Sequence, residues 1–246
     1  MSAYDALAGS YDILTRDVPY KQTADYYEAL FAVENACVKT ILDLACGTGT
    51  LTCLLAGRGY ELIGTDVSPE MLAAAENKAA AMENRPMFIN QPMESLDLYG
   101  TVDAVICSLD GINHVQPGTL DEALRRVLLF LEPGGLFIFD ILTPEALKQL
   151  DGEIFMDETD DVYCVWRAEY DAAQNACAYV TDIFTRDGKR WDRCREEHTE
   201  YAYEPAELMK LLTGKGFTDV KLYGDRTVKL PKGGERRVFL TARKQK

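Results

Sequence analysis

The hydrophobic rhythm of the chain changes twice. Residues 18–34 carry apolar side chains at Tyr26, Tyr27, Leu30 and Phe31, a helical spacing, with Asp17 placed to cap the helix and Pro19 in its first turn. From Lys39 onward, short apolar runs alternate with helical stretches. Lys39–Leu44, Glu61–Asp66, Met87–Asn90, Val102–Ser108 and Leu136–Leu142 are predicted strands. Leu51–Gly57, Pro69–Met82 and Thr119–Leu131 are predicted helices, and Glu132-Pro133-Gly134-Gly135 reads as the turn before the fifth strand. Strands alternating with helices imply a parallel sheet covered on both faces, with right-handed crossovers.

Near Asp151 the period shifts. Val162–Tyr170, Ala176–Arg186 and Lys189–Tyr203 are long and rich in β-branched and aromatic residues, with turns at Asn175 and at Asp187-Gly188. They predict an antiparallel meander of three strands, preceded by a solvated acidic loop, Asp157–Asp161. After Pro205 the alternation returns, with a helix at Ala206–Thr213 and strands at Val220–Tyr223 and Arg237–Ala242. The predicted fold is therefore α/β: a doubly wound, mostly parallel seven-stranded sheet with helices on both faces, plus an inserted antiparallel meander.

Composition narrows the partners. The chain has 246 residues, 47% of them hydrophobic, enough for a sizeable core, and no apolar run approaches the roughly 20 residues that span a bilayer. Met1–Asp12 lacks the basic and apolar regions of a signal peptide, so a cytoplasmic protein with no membrane partner is expected. The seven cysteines show no CxxC and no Cys/His cluster, so neither a metal site nor a disulfide framework is expected, and thiols such as Cys53 and Cys107 are assigned to the core. A net charge of −14 repels phosphate backbones and disfavours nucleic acid; Lys189-Arg190 and Glu235-Arg236-Arg237 read as solvated turns. An acidic surface is compatible with a cationic or neutral small molecule.

The chemistry concentrates in Ile41–Leu72. Ile41-Leu42-Asp43-Leu44 runs into a turn of small residues, Ala45-Cys46-Gly47-Thr48-Gly49, and then a helix. Gly47 and Gly49 let backbone approach a ligand closely. Asp66 ends the second strand, 17 residues after Gly49 (66 − 49), where a carboxylate can accept both hydroxyls of a ribose. Dinucleotide enzymes place a third glycine after the turn; here Thr50, Leu51 and Thr52 follow. Asp43 would repel a pyrophosphate but could pair with the ammonium of a methionyl group.

Taken together, LDLACGTGTLT and IGTDVSPEML resemble the class I, Rossmann-like S-adenosylmethionine-dependent methyltransferases, over Leu42–Leu142 by motif order and over the last two strands by position. Ala45 stands where that family carries its first glycine. The resemblance implies S-adenosylmethionine as cofactor. Asp43 would organise the methionyl end, Ala45, Cys46 and Gly47 would offer backbone contacts, Asp66 would hold the ribose, and Val67 and Met71 would line the adenine. The family's acid for the adenine amino group is missing at Pro92, leaving backbone near Met93, or Glu94, for that task. Ser108 and Leu109 would face the sulfonium side. Asp17-Val18-Pro19-Tyr20 resembles the N-terminal lid of the small-molecule subgroup, with Tyr11 and Tyr20 as closing residues or as packing of the first helix. The implied organisation is a helical lid at 1–36, a Rossmann-like domain at 37–150 and 204–246, and an antiparallel β insertion at 151–203 covering the substrate site.

The expected activity is methyl transfer to an N or O nucleophile of a small molecule. No catalytic residue is assigned; His114, beyond the fourth strand, is a candidate base or substrate contact, or else a loop histidine bonded to backbone. His198 is expected to be a cross-strand charge partner among Glu196, Glu197 and Glu200. Trp166, Tyr179, Trp191 and Tyr201 either cage an amine by cation–π contact or form the core of the meander. Two other classes stay open: a nicotinamide-dependent oxidoreductase and a non-catalytic S-adenosylmethionine-binding module. Oligomeric state is not read from the sequence.

Overall fold

A computed structural model describes residues 8–246; Tyr4 and the start of the Met1–Asp12 segment lie outside them. Two helices open the described chain, α1 (Ala8–Leu14) and α2 (Tyr20–Val33). Then come β1 (Thr40–Leu44), α3 (Thr50–Ala56), β2 (Glu61–Asp66), α4 (Pro69–Ala79), β3 (Met87–Asn90), β4 (Val102–Cys107), α5 (Pro117–Phe130) and β5 (Leu131–Leu142). Following α6 (Pro144–Lys148) is an antiparallel block of β6 (Ile154–Glu158), β7 (Val162–Asp171), β8 (Ala176–Asp187) and β9 (Arg190–Tyr201). The chain ends with α7 (Pro205–Gly214), β10 (Phe217–Gly224) and β11 (Arg237–Lys244).

The first sheet has seven strands in the order β10-β11-β5-β4-β1-β2-β3. Pairs β4/β5, β1/β4, β1/β2 and β2/β3 are parallel, and β11 alone runs against its neighbours β5 and β10. This is the mostly parallel, doubly wound sheet that the alternation implies. Its central strands are buried on both faces. Along β4, Ala104 and Ile106 pack with Tyr27, Leu30, Leu51 and Leu55 on one side, while Val105 and Cys107 pack with Leu120, Leu124 and Val127 on the other. Phe137 and Phe139 on β5 are fully buried and stack at 4.7 Å, each contributing about 2–3 kcal/mol through burial. No helix among the described residues is long and apolar enough to cross a membrane.

Several local expectations change. Asp17 does not cap α2; Pro19 takes the cap position and no side chain bonds there. Glu132–Gly135 is not a turn ahead of β5 but an irregularity inside it: Val102 pairs with Leu131 and Ala104 with Leu136, so the intervening residues leave the ladder. A Cβ on Gly135 would meet the Glu132 and Asp103 carbonyl oxygens at 2.8 and 3.0 Å, which is why the irregularity takes glycine there. The antiparallel sheet has four strands, in the order β6-β7-β8-β9, because Asp157 and Glu158 belong to β6 and pair with Cys164 and Tyr163. Their acidity conceals a strand because β6 is an edge whose residues are mostly exposed. Of the seven thiols, all free, Cys107, Cys164 and Cys177 are buried, whereas Cys53 is half-buried and Cys37 exposed.

The turn after β1 depends on close packing. Gly49 has φ +68°, and a Cβ there would lie 2.8 Å from Ala75 Cβ on α4 and 3.0 Å from the Phe88 ring. Ser68 caps α4, accepting the Met71 N–H at 3.2 Å, with Pro69 at the first helical position. Gly49→Ala is expected to cost about 1–3 kcal/mol from left-handed backbone strain and overpacking, read as a lower urea midpoint. An unchanged midpoint would mean that α4 yields to the added methyl.

Candidate active site at the carboxyl ends of the parallel strands

One cleft of about 780 Å³ opens over the carboxyl ends of β1, β2 and β4. Tyr11, Tyr20, Asp43, Ala45, Cys46, Gly47, Asp66, Val67, Met71, Met93, Ser108 and Leu109 all line it, and so does His114. Residues separated by most of a domain in sequence meet there because parallel strands end on one edge of the sheet.

Asp43 faces α3 and is 2% exposed. Thr52 on α3 donates its hydroxyl to Asp43 Oδ2 at 2.6 Å. Burial, with Asp66 repelling and Thr52 only partly offsetting, pushes the Asp43 carboxyl up to about 7. Asp66 closes the turn back on itself, accepting the Gly47 N–H on Oδ2 and the Ser68 N–H on Oδ1, both at 2.9 Å. Burial raises its carboxyl too, against these backbone donors. Ala45 sits at φ +52°, the left-handed region that glycine occupies most cheaply. Gln91, Pro92, Met93 and Glu94 complete that end of the cleft, with Met93–Ser95 in a single 3-10 turn.

Helix α1 covers the turn. Asp12 accepts hydroxyls from Thr48 at 2.6 Å and Thr50 at 3.2 Å, and pairs with Lys78 at 2.8 Å. Partial burial pushes the Asp12 carboxyl up, but the Lys78 and Thr48 bonds hold it below the usual range. Tyr11 is half-buried in the cleft, where desolvation, Tyr20 and the carboxylates Asp110, Asp66 and Asp12 push its hydroxyl up. The Tyr20 hydroxyl donates to Thr15 Oγ1 at 3.4 Å.

The β4 end is organised by an ionic cluster. Asp140, 1% exposed, accepts the Leu109 N–H at 2.9 Å, the Asp110 N–H at 3.1 Å and the guanidinium of Arg237. Arg237 also pairs with Asp110 at 2.5 Å. Arg237 thus departs from its reading as a solvated turn residue: β11 lies beside β5, which puts its side chain on two carboxylates. Buried Tyr27 shares a hydrogen bond of 2.7 Å with Ser108. The only cue to this cluster in the sequence is the aspartate inside the apolar run LFIFDIL.

The far wall comes from β9, through Glu197, His198, Thr199 and Tyr201. His198, expected as a cross-strand charge partner, is held in its neutral form by burial. Its ring stacks on Tyr179 at 4.7 Å and lies 5.5 Å from His114, and burial together with His114 pushes it down to about 3. His114 is lowered by burial against Asp110, the Thr199 backbone and Asp66. Of Trp166, Tyr179, Trp191 and Tyr201, Tyr201 alone lines the cleft. Tyr179 is buried, Trp166 packs beside Val162, Cys164 and Ile183, and Trp191 is exposed under Arg186 at 6.0 Å, so Trp191 belongs to neither an amine cage nor a core.

The profile of a methyltransferase domain matches residues 41–135. The chain is 35% identical to magnesium-protoporphyrin O-methyltransferase of Synechocystis over 160 residues, 56% of this chain and 68% of that one. It belongs to the class I S-adenosylmethionine-dependent methyltransferases. It is 28% identical to the YqeM protein of Bacillus subtilis over 99% of this chain and 98% of that one. A crystal structure of an S-adenosylmethionine-dependent methyltransferase from Clostridium acetobutylicum superposes with a TM-score of 0.87 at 29% identity, covering 99% of each chain. The methyltransferase is thus an enzyme whose cofactor is S-adenosylmethionine, which sets aside the nicotinamide and sensor readings. The cleft fits that cofactor chemically: a buried, destabilised carboxylate awaits a cation, and a second carboxylate lies beside backbone donors.

Asp43 has a measurable cost. Its folded value of about 7 stands above its ordinary value of 3.8, so its penalty is absent below pH 4, grows as pH rises, and is complete above pH 7. Asp43→Asn is expected to raise the melting temperature of the cofactor-free methyltransferase at pH 8, with the gain shrinking toward pH 4. A gain independent of pH would show that the carboxyl is not strained.

Proposed function

We propose that the methyltransferase acts on a small molecule bound between the loop after β4, helix α1 and strand β9. The observation carrying this reading is that one cleft joins the Asp43–Asp66 turn to a wall bearing His114, His198 and Tyr201. A net charge of −14 disfavours nucleic acid, and the Synechocystis relative is named for a small-molecule substrate. On this reading residues 1–36 serve as a lid, 37–150 and 204–246 as the cofactor domain, and 151–203 as the cover of the substrate site. The free thiols fit a reducing compartment, and we place the enzyme in the cytoplasm.

Asp43 would take the cofactor's ammonium, and Ala45, Cys46 and Gly47 would present backbone to its methionyl and ribose parts. Asp66 retains a lone pair for the ribose hydroxyls beyond its backbone donors at Gly47, Val67 and Ser68. Val67, Met71 and Met93 would line the adenine, Ser108 and Leu109 the sulfonium side, and Tyr11 and Tyr20 would close over the whole. When bound, the cofactor supplies an electrophilic methyl group. The acceptor's nitrogen or oxygen would be held in line with that methyl group, and His114, on the cleft wall, would take the acceptor's proton. Burial keeps His114 neutral and able to accept it. Holding the two reactants in line is worth up to about 7–11 kcal/mol.

A screen of small amines, acids and hydroxylated metabolites, read by S-adenosylhomocysteine release, is expected to find an acceptor; preferential methylation of RNA would overturn the reading. Asp66→Ala should weaken S-adenosylmethionine binding by roughly ten- to a hundredfold with the fold intact, measured by calorimetry. An unchanged affinity removes Asp66 from the ribose. Affinity should also fall as pH drops from 8 to 6 and Asp43 takes up its proton, and Asp43→Asn should flatten that dependence. A profile that keeps its slope in Asp43→Asn would reassign the ammonium contact.

A further inference from the structure

Behind the cleft wall lies an ionisable side chain outside the proposed cofactor and acceptor contacts. Glu200, on β9, is 5% exposed. Its Oε1 lies 3.9 Å from His114 Nε2, and its Oε2 accepts the Tyr179 hydroxyl at 3.3 Å. Polar atoms of Asp110, His114 and Glu200 gather within 4.8 Å of one another. Asp110 is already held by Arg237 at 2.5 Å, so its charge is committed. Glu200 is the carboxyl within reach of the imidazole whose salt-bridge contact is the histidine itself.

We propose that Glu200 is a positioning residue for methyl transfer: its buried carboxyl, held by Tyr179, orients His114 and supports the imidazolium that forms when the acceptor gives up its proton. The inference rests on His114 accepting that proton. A cation created in a buried site is costly without a counter-charge. His198, the other ring beside His114 at 5.5 Å, cannot supply one, since burial and His114 keep it neutral.

The surroundings are consistent with a shared proton. Burial and Asp110 push Glu200 well above the usual carboxylate range, against Tyr179 and Arg237, while burial pushes His114 down. Each group alone favours its neutral form, and at 3.9 Å either one, once charged, is stabilised by the opposite charge on the other. The other groups facing the pair are Asp66 at the end of β2, Asp110 after β4, His198 on β9 and Arg237 on β11. Tyr179 fixes the carboxyl from β8, and its ring stacks on His198. The antiparallel sheet then contributes to proton transfer as well as covering the site. An apolar residue at 200 would fill the same space but remove the carboxyl beside His114.

Histidine-labelled nuclear magnetic resonance tests this without any acceptor. The chain has two histidines, and loss of one signal in H198Q assigns both. In E200Q, which keeps the shape and removes the group able to become the counter-charge, the proton affinity of His114 should fall at least tenfold. Tyr179→Phe should lower it in the same direction and by less, because the carboxylate loses a donor. An unchanged His114 titration in E200Q overturns the proposal, and the same result in Tyr179→Phe does so should E200Q fail to fold. With an acceptor in hand, the acidic limb of kcat/KM should move to lower pH in E200Q as the plateau falls. A lower plateau with an unmoved limb means a merely structural Glu200 and also overturns it. Failure of the acceptor screen leaves the titration readable, so the small-molecule reading and the role of Glu200 fail separately.

Discussion

A carboxylate buried in the carboxyl half of a central strand has to be satisfied on every side. Asp140 meets that demand with two backbone N–H groups, those of Leu109 and Asp110, and with the Arg237 guanidinium. The geometry of the cleft floor follows. Leu109 and Asp110 both sit at positive φ, +54° and +59°, a conformation held because two amides must point at one carboxylate. That loop leads directly into the 3-10 turn ending at His114. Arg237 is drawn in from β11, so the reversed strand of the sheet becomes part of the site.

Asp140 and Asp43 are both buried carboxyls that burial raises above the usual range, but their partners differ. Asp140 has three donors, a cation among them. Asp43 has the Thr52 hydroxyl and the repulsion of Asp66, and its carboxyl is pushed up to about 7. The first arrangement holds the architecture; the second stores an unfavourable charge that a cationic ligand group would relieve. Strain of this kind at a cleft is what separates a binding position from a structural one.

The antiparallel sheet is joined to the site through a relay of side chains. Tyr179 on β8 supports Glu200 and stacks on His198, and both β9 residues reach His114. Asn113 adds a mechanical link, its amide donating to the Leu142 and Tyr201 carbonyls at 3.2 and 3.0 Å. The inserted segment is therefore tied to the Rossmann-like sheet beside the residue proposed to receive the proton.

By itself the sequence determined whatever depends on near neighbours. The alternation of apolar runs sets a strand or helix locally, and the Asp43–Gly49 turn with Asp66 names the cofactor because both features end adjacent parallel strands. Tertiary structure decided the features that rest on distant pairs. Asp140 and Arg237 are 97 positions apart, so Arg237 at the edge of a basic run reads as solvated until β11 is laid against β5. Glu200 and His198 read as members of an acidic strand until the fold packs them beside His114 and Tyr179. β6 was hidden because its second half is acidic and an exposed edge strand gains its order from β7. Periodicity reports which face of an element is buried; it does not report which carboxylate across the fold meets which cation, and that pairing fixed the charge, the loop and the chemistry of the site.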